Sequence, residues 1–233
     1  MGIGCGSSLK KNNKEEIIPS NLYSALGRFF FGNDHGPLVI VMVTFGLIQT
    51  RLGYSNFLLD ILSLFSLPTE TMGSVSFMDF FAACGASIVW WFQEHFMHQK
   101  LLHSKWDWMG KSIHESHHSK PYFHISIDPP SLILTWFTVV LTTLLLVCPT
   151  ISIALSSMIG YSLSGLFYEW THYIVHTRVK PKHPFFRRLR DHHMRHHLVD
   201  NHYWYAFTLP QIDNIFGTNP NVKDVVKSKQ HEL

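Results

Sequence analysis

Charged residues are scarce in this 233-residue chain, where Asp, Glu, Lys and Arg together make up 15% against about 25% in soluble domains. Such a low share is typical of a protein embedded in a membrane. The net charge of +3 is too small for a nucleic-acid-binding surface, so no nucleic-acid partner is expected. The three cysteines form no CxxC pair, which excludes a disulfide framework and a cysteine-based zinc site.

Charge is absent altogether from residues 129 to 168, which contain no Asp, Glu, Lys, Arg or His. A transmembrane helix needs about 20 apolar residues, and this stretch is about twice that length, with Pro149 near its middle. Proline suits a turn between two helices, so the stretch predicts a transmembrane hairpin. Two earlier apolar segments are weaker candidates. The sequence thus predicts an all-α membrane fold with four spans, at 36–52, 75–93, 130–148 and 150–171.

The chain is predicted to have one main domain. Residues 1–35 are expected to be a polar N-terminal lead that ends in an interfacial segment at 24–32, with three consecutive phenylalanines. Residues 36–233 are expected to form a single membrane domain, because this length is usual for one domain.

Lys and Arg are distributed unevenly about the four predicted spans. Such a topology places both termini and residues 94–128 on one side of the membrane. Of the 19 Lys and Arg residues, Arg51 alone falls on the other side. The positive-inside rule then places the basic side in the cytosol. We expect the membrane of the endoplasmic reticulum with both termini cytosolic, and a plastid membrane is the alternative.

Histidine is the residue in excess, with 17 copies, and most of them cluster on this same predicted side. Two clusters, HxxxxH and HxxHH, precede the hairpin, and two more, HxxxH and HxxHH, follow it. His95 and His192 sit beside clusters and could replace a member. The ten histidines of the four motifs are His98, His103, His114, His117, His118, His172, His176, His193, His196 and His197.

The spacing of these histidines suits metal binding. Residues i and i+3 or i+4 share one face of a helix, so the outer histidines of an HxxxH or HxxHH motif can bind one ion. The middle histidine of an HxxHH triplet is turned by about 100° and can bind a second ion. Neutral imidazole is a ligand of iron, zinc, copper and nickel. The pattern predicts a two-metal centre and leaves the metal open.

A histidine-rich metal transporter or storage protein is an alternative from a different class. Transporters place ionisable ligands inside their spans, whereas these clusters lie at or beyond the ends of the predicted spans. A structural metal site usually needs four ligands rather than ten. Both features favour an enzyme.

The four motifs, in this order around a membrane hairpin, resemble the fatty acid hydroxylase superfamily over about residues 90–220. That superfamily includes fatty-acid 2-hydroxylases, sterol C4-methyl oxidases, sterol C5-desaturases and, by looser similarity, carotene hydroxylases. Residues 171–173 (THY) and 213–218 (DNIFGT) look most like the fatty-acyl 2-hydroxylases. The motif at 114–118 also resembles the carotenoid hydroxylases, so the branch is open.

This resemblance implies a cytosolic helical cap on the spans, in which two iron ions activate O2 and hydroxylate a C–H bond of a lipid. A fatty acyl chain is the first candidate, and hydroxylation or desaturation of a sterol or carotenoid is the alternative. Zinc in a crystal would be a stand-in for iron. By the resemblance, one iron would take His98, His103, His114, His118 and His196, and the other His117, His172, His176, His193 and His197.

The resemblance also bears on the source of electrons. Fused members carry a cytochrome b5 domain with a haem-binding His-Pro-Gly-Gly, whereas here the only His-Pro is His183-Pro184, followed by phenylalanine. We therefore expect no bound haem and a separate donor of the cytochrome b5 or ferredoxin type. The basic residues between 178 and 195 could dock an acidic donor or anchor to anionic lipid.

Two further groups of residues are candidates for the site. Carboxylates near the clusters could orient imidazoles from behind, and Glu115 and Glu169 are the first choices. Aromatic side chains near the membrane interface could hold the substrate, with plain packing or an aromatic belt as the alternative. These candidates are Trp91, Trp108, Tyr203 and Trp204.

Overall fold

The computed structural model describes residues 18–32, 35–64, 73–119 and 128–231. These residues form ten α-helices and one π-helical turn and include no strand, which confirms the all-helical prediction. Most of the predicted N-terminal lead lies outside the described residues. The helices are α1 (Leu22–Phe31), α2 (Gly36–Arg51), α3 (Phe57–Ser63), α4 (Phe77–Met97), α5 (Met109–Ser119), α6 (Pro130–Val147), α7 (Ile151–Val175), α8 (Pro184–Leu198), α9 (Gln211–Ile215) and α10 (Val222–His231), and the π-helical turn is His98–Leu102.

Among the described residues, two helices are long and apolar enough to cross a membrane, and they are α6 and α7 of the predicted hairpin. Helices α1 and α2 pass the same test only as a pair, bent by 73° at the break between them. Helix α4 carries Asp79 and Glu94, yet Phe80, Phe81 and Val89 on its outer side are more than half exposed. The chain is a membrane protein with two or three candidate spans, and the count of four stays a prediction.

Helix α7 is central and packs against α2, α4 and α6. It runs in the same direction as α4, since Ala83 lies beside Gly160 and Trp90, further along α4, lies beside Gly165. A Cβ added to Gly160 would lie 2.2 Å from the Ala83 carbonyl oxygen, so the two backbones meet closely there. Two parallel helices therefore deliver their carboxyl ends, with the histidines that follow, to the same place.

A buried ion pair joins α2 to the start of α4, at the opposite end of α4 from His98. The Arg51 Nε donates to Asp79 Oδ1 at 2.7 Å, and the Ser156 hydroxyl donates to the same oxygen at 2.7 Å. Removing one partner of such a pair typically costs about 3–5 kcal/mol, because the other charge stays buried. Arg51, the lone basic residue on the predicted outer side, is thus a packed structural group rather than a free surface charge.

The helical cap consists of the π-helical turn, α5, α8 and α9, gathered at the carboxyl ends of α4 and α7. Helix α1 packs beside it, where the Phe29 ring lies 5.1 Å from Trp170 and 5.4 Å from Tyr173 between centroids. The phenylalanine-rich segment predicted at the membrane interface is therefore partly anchored on α7. Its other side is apolar and exposed, with Tyr23 and Phe31 more than three-quarters accessible.

Candidate two-metal centre

Five histidines of the helical cap form a first group, called site A. Two lie at the ends of the π-helical turn, two on α5 and one on α8. One imidazole nitrogen of each lies within 4.8 Å of those of the others. Their Nε2 atoms make five approaches of 2.9–3.2 Å. Site A consists of His98, His103, His114, His118 and His196.

The other five histidines form site B, with one residue from α5, one from α7, one directly after the end of α7 and two from α8. Their ligand nitrogens also lie within 4.8 Å of one another. The Nε2 atoms approach at 2.9 Å, 2.9 Å and 3.0 Å in three of the pairs. Site B consists of His117, His172, His176, His193 and His197. The structure thus brings together the same two sets that the family resemblance implies.

These short approaches cannot all be hydrogen bonds. The His114 Nε2 lies 3.0 Å from that of His103, 2.9 Å from that of His118 and 3.2 Å from that of His98. A neutral imidazole has only one N–H, so one nitrogen cannot pair with three others. Metal–imidazole bonds are about 2.0–2.1 Å, and two ligands at right angles around an ion then lie about 3 Å apart. The spacing fits nitrogens that converge on a cation.

Helices α5 and α8 each contribute to both sites. On α5, His114 and His118 belong to site A and His117 to site B, because neighbouring residues on a helix are turned by about 100°. The sites adjoin, since the rings of His118 and His197 stack with centroids 4.2 Å apart. The arrangement suits two metal ions acting on one substrate.

The π-helical turn explains how HxxxxH supplies two ligands to one ion. In an α-helix, residues five apart differ by about 140° in direction and would not share a metal. Here the His103 N–H donates to the His98 carbonyl at 3.2 Å, the i to i+5 bond of a π-helix. The wider turn brings His98 and His103 to the same side, with ring centroids 5.3 Å apart.

Backbone carbonyls orient two ligands of site A. The His98 Nδ1 hydrogen-bonds to the Tyr205 carbonyl at 2.7 Å, and the His196 Nδ1 to the Tyr203 carbonyl at 2.7 Å. With the proton on Nδ1, each Nε2 keeps its lone pair for a metal. Sequence reasoning missed these contacts, because a carbonyl acceptor leaves no side-chain signature.

Burial keeps the site imidazoles neutral. Removal from water lowers the pKa of His103 to about 4 and that of His118 to about 3. The same cause, with the neighbouring histidines, holds the pKa values of His193 and His197 well below the ordinary value of 6.5. Neutral imidazole is the form that binds a metal. The ten residues therefore fit a pair of transition-metal ions, which they would hold through nitrogen alone.

A dependence of stability on pH follows for the metal-free protein. In the unfolded chain these histidines bind a proton near pH 6.5, whereas in the folded chain His103 and His118 do so only near pH 4 and below. The unfolded state therefore gains protons first as the pH falls. We expect the midpoint of thermal unfolding in detergent to decrease steadily from pH 7 to pH 5, a window above the ordinary titration of carboxylates. A constant midpoint over that window would contradict burial of neutral imidazoles.

The predicted orienting carboxylates lie elsewhere. The choice of Glu115 is wrong, because its side chain is 64% exposed and pairs with Lys111, one turn earlier on α5, at 3.4 Å. Glu169 is buried one turn before His172, where it accepts a long hydrogen bond of 3.4 Å from the Asp128 N–H. That Glu169 orients an imidazole stays a prediction. His95 and His192, considered as alternative ligands, instead hydrogen-bond to Asp213.

An apolar cavity opens beside both sites. It encloses about 940 Å³ of empty space, which includes open solvent at its mouth. Three metal-site histidines, His98, His114 and His172, form part of its wall. Three carboxyl groups also line it, namely Glu94, Asp128 and Glu169. Most of the remaining wall is apolar or aromatic, and includes Trp90, Trp108, Ile133, Trp136, Phe137 and Tyr168.

Of the four aromatic residues predicted to hold the substrate, only Trp108 lines this cavity. Its indole N–H donates to the Leu101 carbonyl at 3.0 Å, and its ring packs over Gly110 so closely that a Cβ there would clash. Trp91 is not among the residues of the cavity wall, and its neighbour Trp90 is. Tyr203 and Trp204 lie behind site A, where Trp204 is fully buried. Neighbouring residues on a helix point in different directions, so the sequence position of an aromatic residue does not tell whether its side chain faces the cavity.

Comparison with known proteins gives three consistent similarities. Residues 83–218 match the family model described as fatty acid hydroxylase. A dihydroceramide fatty acyl 2-hydroxylase, FAH2, of Arabidopsis thaliana is 28% identical over 145 residues. That alignment covers 60% of this chain and 61% of the relative, so the chain spans about three-fifths of the relative's length.

A solved structure shares the fold. It is titled full length scs7p, with only the hydroxylase domain visible, and it superposes with a TM-score of 0.60. The match covers 83% of this chain and 67% of that chain at 19% sequence identity. At this identity the likeness speaks for the architecture of helices and cap alone.

Proposed function

Because this chain belongs to the fatty acid hydroxylase family, we propose that it is a membrane oxidoreductase that hydroxylates a C–H bond of a lipid with O2. The observation that carries the proposal is the pair of adjoining five-nitrogen sites beside an apolar cavity. Two iron ions, when bound, would supply the reduction of O2 and the removal of hydrogen from an unactivated carbon. Sites A and B are the residues that would hold them.

The protein would hold the imidazoles in a fixed orientation and keep water out of the cavity. The imidazoles are fixed from behind at site A by backbone carbonyls, which limits their rotation. The aromatic and aliphatic wall of the cavity would exclude water and align an extended chain against His98, His114 and His172. Such positioning is the part of oxygen chemistry that a protein contributes beyond its metal.

A fatty acyl chain is the substrate best supported. The cavity is lined mainly by apolar groups, as a hydrocarbon chain requires. The similar protein from Arabidopsis thaliana acts, by its name, on the fatty acyl part of dihydroceramide. We extend the reaction type to this chain and leave its headgroup open.

The membrane and the electron donor complete the proposal. Eighteen of the 19 basic residues lie on the side of the cap under a four-span topology, which supports a cap on the cytosolic side. We propose the endoplasmic reticulum as the membrane. A donor of the cytochrome b5 or ferredoxin type would approach α8, which carries three of the ligands. Arg187, Arg188 and Arg195 are exposed on that helix and would attract an acidic partner.

Lipid profiling of cells with and without the chain tests the function. We expect one class of acyl lipid to gain the mass of one oxygen, and to lose that gain under an iron chelator. An unchanged lipid profile with accumulation or flux of metal would contradict the proposal and favour a transport or storage protein. A lipid that loses two hydrogens instead would point to desaturation.

A further inference from the structure

The segment 203–206 is the part of the chain that fixes site A from behind. Its carbonyls at Tyr203 and Tyr205 accept the Nδ1 hydrogen bonds of His196 and His98, both at 2.7 Å. The segment has no regular secondary structure, so its shape must come from contacts with something else. Between the two carbonyls, Trp204 has φ of 60°, a left-handed conformation that a bulky residue rarely adopts unless its surroundings impose it.

Asp213 imposes this shape. One of its carboxylate oxygens accepts from the Tyr205 N–H at 3.1 Å and the other from the Ala206 N–H at 2.9 Å. Its own carbonyl accepts from the Thr218 N–H at 2.8 Å, and the Thr218 carbonyl accepts from the Trp204 N–H at 2.8 Å. Three consecutive backbone N–H groups are thus held by Asp213 or by its direct partner.

The same carboxylate is anchored to α8, which carries three of the ten histidines, and to α4, which leads directly into His98. It accepts from His95 Nδ1 on α4 at 3.0 Å and from His192 Nε2 on α8 at 2.7 Å, and from the Thr218 hydroxyl. Asp213 is completely buried. These hydrogen bonds keep its pKa well below the ordinary value, so it remains an acceptor for all of its donors.

Two rings of site B lack such a backbone support within the residues that the structure describes. The Nδ1 atoms of His193 and His197 have no hydrogen-bond partner there. Orientation of these two rings rests on packing, as for His193 against Phe207 with centroids 4.5 Å apart. The hydrogen bonds of Asp213 therefore lead to two imidazoles of site A through the 203–206 backbone, and they do not hold these two rings of site B.

We propose that Asp213 is a positioning residue for metal site A, acting through the 203–206 backbone on the imidazoles of His98 and His196. The inference rests on the two-metal centre of the proposed function and adds that site A depends on Asp213 whereas site B does not. Loss of an outer partner typically weakens a metal site about 10–100-fold, and here that loss should fall on site A alone.

The test is zinc binding by the purified full chain in detergent, in competition with a chromophoric chelator. Asp213→Asn keeps the size of the side chain but replaces one acceptor oxygen by an NH2 group, which cannot accept the hydrogen bonds of the N–H groups that face it. Two histidines are removed from one site in each background, because four nitrogens would still be a full ligand set for zinc. In a His172→Ala/His193→Ala background, where site A is intact, we expect Asp213→Asn to weaken zinc binding about 10–100-fold. In a His98→Ala/His196→Ala background, where site B is intact, we expect no change. Asp200→Asn is the matched control, since Asp200 pairs with His202 and Lys229 away from the network.

Different results of this experiment test the two-metal centre and the positioning role of Asp213. A chain without substitutions that binds fewer than two zinc ions contradicts the two-metal centre itself. Two ions with no effect of Asp213→Asn, or an equal loss in both backgrounds, overturn the positioning role. If Asp213→Asn does not fold, Thr218→Val removes one donor to the carboxylate and should weaken site A only. Unchanged site A affinity in that variant would overturn the inference.

Discussion

Replacement of His117 by alanine is expected to lower lipid hydroxylation at least about 100-fold, more than the loss of a residue that only orients a ligand. His117 is fully buried and is the α5 member of site B, with its Nε2 2.9 Å from that of His172. Removing it leaves four nitrogens at a site that adjoins site A through the same helix. The measurements are hydroxylated product per protein by mass spectrometry and metal ions per chain.

His202→Ala is the matched control for this loss. His202 is also a histidine of the cap, but its side chain is 82% exposed and contacts Asp200 at the surface. Its replacement should leave both activity and metal content unchanged. Full hydroxylase activity in His117→Ala would contradict the two-metal proposal, whereas equal losses in both variants would indicate damage to the cap rather than to a site.

Replacement of Gly165 by phenylalanine is expected to change which chains are accepted. Gly165 lines the cavity and lies seven residues before His172 on α7, about 10 Å along the helix axis. A Cβ there would already touch the Trp90 ring at 3.3 Å, so a phenyl group must project into the cavity. We expect hydroxylation of long acyl chains to fall about 10-fold or more while short chains are retained, as expected when a pocket loses volume.

Leu163→Phe provides the comparison on the same helix. Leu163 is half exposed on the outer side of α7, so the larger ring adds apolar surface without entering the cavity. Activity across a series of chain lengths measures both variants. Equal retention of long and short chains by Gly165→Phe would show that the substrate does not use this cavity.

The histidines could be singled out from the sequence by their spacing, and helical periodicity separates the members of one HxxHH motif, whereas the full division into two sets came from the family resemblance. The triplet at 114–118 distributes His117 to one site and its neighbours to the other, as the angle between successive residues requires. The hairpin could also be predicted from the sequence, because forty uncharged residues around Pro149 leave few alternatives to two membrane-spanning helices. Both conclusions depend on contacts between residues close in the chain.

What could not be predicted depends on contacts across the chain. The orientation of His98 comes from a carbonyl 107 residues away, and Asp213 reaches it only through the backbone of Tyr205. Glu115 looked suitable because it stands inside a ligand motif, but on a helix that position faces solvent. The wall of the cavity is assembled from several helices, so Trp90 and Trp91 could not be told apart by position alone.

The π-helical turn changes how the spacing of a histidine motif should be compared between proteins. A π-helical turn is an α-helix that has taken in one extra residue without losing its direction. His98 and His103, five apart, occupy the relation that residues four apart have on a regular helix. An HxxxxH and an HxxxH motif can therefore be the same ligand pair separated by a single insertion, and an alignment that penalises the gap at this point would separate proteins whose metal sites are alike.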